Sequence, residues 1–136
     1  MEYKNLVEIA KQAMEKAYVP HSKFRVGAAL LTSDGKVFTG CNIENATFGA
    51  TNCAERTAIF KAVSEGYKNF EKIAIISDSS NYTYPCGICR QVIIEFSRDI
   101  EVICSNKNGE YKVYKITELL PFAFTSDDIE RSNLNE

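Results

Sequence analysis

The stretch RVGAALLTSDGKVFTGCNI, residues 25–43, decides the fold. Two apolar, strand-like runs meet at Ser33-Asp34-Gly35-Lys36, and Asp-Gly is a pair that accepts the positive backbone angles a tight hairpin turn demands. The stretch therefore predicts a β-hairpin. On its N-terminal side, Leu6, Ile9, Ala10, Ala13, Met14 and Ala17 recur at helical spacing and predict an amphipathic helix that stops near Pro20. On its C-terminal side, a second helix is expected from about Cys53 to Glu65, with Ala58, Ile59, Ala62 and Val63 facing inward and Gly66 closing it. KIAIIS (72–77) reads as a buried strand, and Pro85 introduces a third helix from about Cys86 to Ser97. IEVICSN (100–106) and EYKVYKI (110–116) flank Asn108-Gly109 as two further strands, and a short helix follows.

That order predicts an α/β fold, a three-layer α/β/α sandwich around a mixed sheet of roughly five strands. A length of 136 residues suits a single domain spanning 1–136, in which only the polar end, about 125–136, is expected to be loosely held. No internal repeat or linker interrupts it.

Sixteen basic residues stand against eighteen acidic ones, with no long run of either sign. The basic face of a nucleic-acid binder has no source here, so a small neutral or cationic ligand is the expected partner. The charged N-terminus MEYKNLVEIAKQAMEK lacks a signal-peptide core, and no apolar run is long enough to span a bilayer. A cytoplasmic location is the expectation. Five cysteines, an odd number, argue for reduced thiols rather than a disulfide framework.

PCGIC (85–89) is a C-x-x-C at a helix start, where the helix dipole and free backbone N–H groups favour thiolates. Such a pair binds zinc, exchanges disulfides, or simply packs. Cys53 favours the first: it too sits at an expected helix N-terminus, so two helix starts can bring three thiolates together and leave the fourth tetrahedral position of a zinc ion open. Cys41 and Cys104, inside strand-like runs, read as small buried hydrophobes. His21, the only histidine, reads as an exposed loop residue. Glu55 has two readings that the spacing alone leaves open. With Asn52 as N-cap it is the glutamate of a capping box; one turn from a metal it is a proton carrier that does not ligate. Arg56, a cation in the first turn of a helix, opposes the dipole and so suggests an anionic neighbour such as the cysteine sulfurs; a surface pair with a carboxylate is the alternative.

CAERTA (53–58) followed by PCGICRQ (85–91) resembles the zinc-dependent nucleoside deaminases, whose pattern is a Cys₃ or His/Cys/Cys zinc with a non-ligating glutamate and P-C-x-x-C. The similarity takes in His21-Ser22-Lys23-Phe24, GCNIENA (40–46) and ELLPFAF (118–124), and is to the short, homotetrameric cytidine deaminases. The resemblance implies a cytidine deaminase-like fold and one zinc per chain held by Cys53, Cys86 and Cys89. It also implies a proton-shuttling Glu55, and Arg56 offsetting the charge of the thiolates. It implies a nucleoside pocket formed by Phe24 against the base, Asn42 and Glu44 on the ribose hydroxyls, Ala46 and Phe48 nearby, and the backbone around Ala54 and Cys86 on the pyrimidine edge. Phe124 would come from a neighbouring subunit. The implied reaction is hydrolysis of cytidine and 2′-deoxycytidine to uridine and 2′-deoxyuridine with release of ammonia, as in pyrimidine salvage. Without the resemblance, Phe24 reads as plain core and Asn42 and Glu44 as loop polars. Two residues depart from the pattern: Phe48 stands where tyrosine is frequent, and Phe122 where glycine is usual. The rival readings are a deaminase of another cytosine nucleoside such as a nucleoside antibiotic, a thiol–disulfide oxidoreductase using Cys86 and Cys89, and a zinc-stabilised binding module.

Overall fold

Gly35, at φ 91°, turns the chain between β1 (Val26–Thr32) and β2 (Val37–Cys41), which pair antiparallel from Gly27 opposite Cys41 to Leu31 opposite Val37. This is the hairpin that the Asp-Gly pair predicts. The computed structural model describes residues 1–129 and adds to the hairpin α1 (Tyr3–Met14), a 3-10 turn at Phe48–Ala50, α2 (Ala54–Ser64), β3 (Phe70–Ser77), α3 (Gly87–Phe96), β4 (Glu101–Ser105), β5 (Tyr111–Lys115) and α4 (Ile116–Leu119). The strands form a five-stranded sheet ordered β2-β1-β3-β4-β5. Among the described strands only the β3–β4 pair is parallel, and the crossover that such a pair requires is α3.

An uninterrupted apolar β1 means that both of its faces are buried. Ala29 and Leu31 pack with Leu6, Val7, Ala10 and Met14 of α1, while Ala28 and Leu30 pack with Ala58, Ile59 and Ala62 of α2 and Ile93 of α3. The helix layers are thus α1 on one side and α2 with α3 on the other. This arrangement carries the starts of α2 and α3 on the same face of the sheet.

Helix α1 ends earlier than its apolar periodicity suggests. Tyr18 is drawn into backbone pairing with the chain beyond β2, its N–H donating to Asn42 O at 3.0 Å and its carbonyl accepting from Glu44 N at 2.9 Å. Helix α2 closes as expected, with Gly66 at φ 97° and the Gly66 and Tyr67 N–H groups donating to Val63 and Ala62 carbonyls at 3.0 Å each. Past α4, Arg98 pairs with Asp127 at 2.7 Å and Gln91 Nε2 donates to Phe124 O at 2.6 Å, so the chain up to 129 runs along α3. The rest of the expected loose tail, 130–136, lies outside the described residues.

Gly40 sets the depth of α2. A Cβ placed there would lie 2.4 Å from Ala54 O and 2.6 Å from Ala58 N, so only glycine lets β2 and the first turn of α2 touch. Gly40→Ala is expected to destabilise the protein by about 1–3 kcal/mol, the range for an overpacked core, and to weaken metal retention by moving Cys53. Urea unfolding with metal analysis of the same sample checks both.

Candidate metal and nucleoside site

Two helices begin on a cysteine. Cys53 is the N-cap of α2, at φ −74° and ψ 155°, and Cys86 is the N-cap of α3, at φ −67° and ψ 169°. Neither cap makes a side-chain hydrogen bond to its helix, so each sulfur remains available beside the positive end of a dipole. Cys89 lies in the first turn of α3 and is fully buried. The three Sγ atoms lie within 4.8 Å of one another, with Cys53 and Cys86 sulfurs 3.9 Å apart. Tetrahedral zinc with Zn–S bonds of about 2.3 Å requires sulfurs roughly 3.8 Å apart, so this all-thiolate set fits one zinc ion per chain with a fourth position open.

Electrostatics divides the sulfurs. The Cys89 thiol donates to Cys53, and Arg56 and Cys86 add further hydrogen bonds, bringing Cys53 down to about 5 against the opposing effect of burial. Cys89, the donor in that pair and itself buried, is pushed up. The Cys53 sulfur is thus the one most disposed to the thiolate form, the form in which a cysteine would bind a metal. Arg56 Nη2 stands 3.2 Å from Cys53 Sγ, so its partner is sulfur rather than a surface carboxylate. That bond is the main reason its own pKa rises.

Glu55 is 4% exposed. Burial chiefly, with the Cys53 charge in addition, raises its carboxyl to about 7, while its own backbone N–H, Cys89 and Arg56 act in the opposite direction. The capping box is not formed. The N-cap is Cys53, which makes Glu55 the second helical residue rather than the third, and Asn52 is committed elsewhere. The Asn52 backbone bridges to Ile43 at 2.9 and 3.0 Å, and its side-chain amide donates to Thr57 Oγ1 at 3.1 Å. Thr57 Oγ1 in turn donates to the Cys41 and Cys53 carbonyls at 3.0 and 3.2 Å, tying the first turn of α2 to the end of β2. The same anchoring role on α3 belongs to Arg90, whose Nε donates to Pro85 O at 2.8 Å and Nη1 to Leu119 O at 2.7 Å. Sequence reasoning passed over Thr57 and Arg90. Their neighbours in CAERTA and PCGICRQ carried the signal, but their partners lie on other elements.

Phe24, Asn42 and Glu44 form a second group. Asn42 Oδ1 accepts from Val26 N and its Nδ2 donates to Phe24 O, both at 2.9 Å. The Glu44 carboxylate accepts from the His21 and Ser22 N–H groups at 3.0 Å each and from the Ser22 hydroxyl, which holds it below the usual carboxylate range. Phe24 is 41% exposed and so is not core. Beside Glu44 lies a cavity of about 420 Å³ lined by His21, Ser22, Glu44, Asn45, Phe48 and Thr51, with His21 against the edge of Phe48. Ala46 is exposed in the same loop, and Ala54 is fully buried at the start of α2. Phe124 stays apart from this group: its carbonyl is held by Gln91 of α3, and its ring is exposed rather than packed on its own sheet. Cys104 is buried and Cys41 half-buried, away from the three clustered sulfurs.

The family model describing the cytidine and deoxycytidylate deaminase zinc-binding region matches residues 1–105. The chain is 48% identical over 130 residues to the cytidine deaminase of Sporosarcina psychrophila, covering 95% of this chain and 96% of that one. It is 50% identical to the cytidine deaminase of Halalkalibacterium halodurans, covering 95% and 98%. Among solved structures, the cytidine deaminase from Burkholderia pseudomallei superposes with a TM-score of 0.88 at 50% identity, over 91% of this chain and all of that one. With three clustered thiolates at the starts of two helices and similarity over nearly its whole length, the chain belongs to the cytidine and deoxycytidylate deaminase family.

Proposed function

We propose that the chain is a zinc-dependent hydrolase that converts cytidine and 2′-deoxycytidine, with one water, to uridine and 2′-deoxyuridine and ammonia. The observation that carries the reading is a buried carboxyl, Glu55, beside three sulfurs that leave a coordination position open. Zinc, when bound, supplies the Lewis acidity that makes water a nucleophile near neutral pH. The chain does the rest. Glu55, with its pKa raised to about 7, is matched to take a proton from the attacking water and pass it to N3 of the base, then to take the second proton from the hydroxyl added at C4 and pass it to the leaving amine. Arg56 draws charge from the Cys53 sulfur, which offsets the net negative charge of three thiolates on a dication.

Binding falls to the second group. Phe24 lies against the base, Asn42 and Glu44 hold ribose hydroxyls, Ala46 and Phe48 flank them, and the backbone at Ala54 and Cys86 reads the pyrimidine edge. The residues lining the cavity next to Glu44 include one carboxylate and neither lysine nor arginine, which favours a sugar hydroxyl over a phosphate. The substrate class is accordingly a nucleoside and not a nucleotide. Ammonia release from cytidine, 2′-deoxycytidine and deoxycytidylate tests this: both nucleosides should react and the nucleotide poorly. Preferred turnover of deoxycytidylate would contradict it.

The proposed assembly is a homotetramer in which Phe124 completes a neighbouring subunit's pocket. Phe122 and Phe124, both exposed on one short segment, supply an apolar surface suited to a partner. Chains carrying Glu55→Ala and chains carrying Phe124→Ala are each expected to be poor enzymes. When the two are co-expressed, activity should return, because some sites then combine an intact Glu55 with an intact Phe124. Verified mixed oligomers as inactive as their parents, or a monomeric native protein, would contradict the shared site. A cytoplasmic setting is proposed from the free thiols; no helix among the described residues is long and apolar enough to cross a membrane.

A further inference from the structure

Ser22 sits between two residues that the proposed function places on the substrate, and it bonds to both. Its hydroxyl donates its one proton to Glu44 Oε2 and accepts the Phe24 N–H at 3.0 Å. The carbonyl side of Phe24 is also held, since Phe24 O accepts from Asn42 Nδ2 at 2.9 Å. Between Ser22 and Phe24, Lys23 lies at φ 60°, a left-handed conformation uncommon for a residue with a side chain. Its N–H is bonded to Val19 O at 3.1 Å. A strained residue persists where its surroundings over-determine it, and here the surroundings are bonds running from Ser22, Glu44 and Asn42.

We propose that Ser22 is a positioning residue of the nucleoside pocket: its single hydroxyl fixes the Glu44 carboxylate and the Phe24 backbone together, so that the grip on the sugar and the stacking on the base are set by one side chain. The inference rests on the reading of Glu44 and Phe24 as ligand-binding residues. Ser22 touches no reacting atom. Its loss leaves Glu44 with the His21 and Ser22 backbone N–H groups, enough to keep the loop folded but not to fix the rotation of the carboxylate.

The test uses the zinc-loaded enzyme with Ser22→Ala, Ser22→Thr, Glu44→Gln and the double variant Ser22→Ala/Glu44→Gln. KM and kcat for cytidine, zinc content and melting temperature are measured on each. Ser22→Ala is expected to raise KM about 3- to 10-fold, the worth of one hydrogen bond, with kcat within about twofold and zinc retained. Ser22→Thr should recover most of the loss, and Ser22→Ala should add little once Glu44 is glutamine. An unchanged KM in Ser22→Ala, or the same factor with and without the Glu44 carboxylate, overturns the proposal. A KM unchanged in Glu44→Gln contradicts the sugar-binding reading of Glu44, and with it the proposal. If the native protein releases no ammonia, the deaminase reading itself has failed; the calorimetric Kd of cytidine in the same variants then decides the role of Ser22 by the same pattern.

Discussion

Glu55→Gln is expected to give a folded, zinc-loaded protein whose kcat falls by at least ~10²–10⁴-fold, the range for a lost general acid–base. Glutamine keeps the shape of the side chain and its hydrogen-bonding oxygen but cannot carry a proton between water, N3 and the leaving amine. The structure also gives the sign of the effect on stability. Burial is the main reason the Glu55 carboxyl stands above its ordinary range, so replacing it with a neutral amide removes a desolvation penalty at neutral pH and should not lower the melting temperature. A capping residue behaves in the opposite way, since its loss costs stability and leaves chemistry alone. Calorimetry and turnover on one sample separate the two: a lowered melting temperature with activity kept would restore the capping role.

Cys89→Ala is expected to abolish tight zinc binding and, with it, activity, and Cys86→Ala to do nearly the same. Two thiolates cannot replace a preorganised set of three, and in Cys89→Ala the loss falls at the buried centre where Cys53 and Arg56 converge. Arg56 is left with less anionic charge to balance, and its buried Nε already lacks a hydrogen-bond partner, so stability should fall as well. Metal analysis after dialysis is the check. Full zinc content in both variants would remove these cysteines from the ligand set.

Much of this was legible in the sequence because the deciding signals are local. The Asp34-Gly35 turn fixes the hairpin, Gly66 ends α2, and the apolar run of β1 buries both its faces. The clustering of the Cys86 and Cys89 sulfurs was legible for a related reason: C-x-x-C at a helix start places two sulfurs together by backbone geometry alone. What escaped is held by contacts between residues distant in sequence. The single residue by which Glu55 misses the capping position depends on Asn52 bridging to Ile43, and the shortened α1 depends on Tyr18 pairing with Asn42 and Glu44. The bond from Ser22 to Glu44 spans 22 residues, and no periodicity announces it. Nothing local marks Gly40 either, because the helix that its missing side chain admits comes from a later stretch of the chain.

The most direct measurement is the fall in ultraviolet absorbance when the purified protein meets cytidine, with released ammonia and zinc content determined on the same sample. The account predicts one zinc per chain, conversion of cytidine to uridine with one ammonia for each, and loss of both zinc and turnover after treatment with a strong chelator. Undiminished turnover by protein shown to be free of metal, or no ammonia from protein carrying its full zinc, would contradict it.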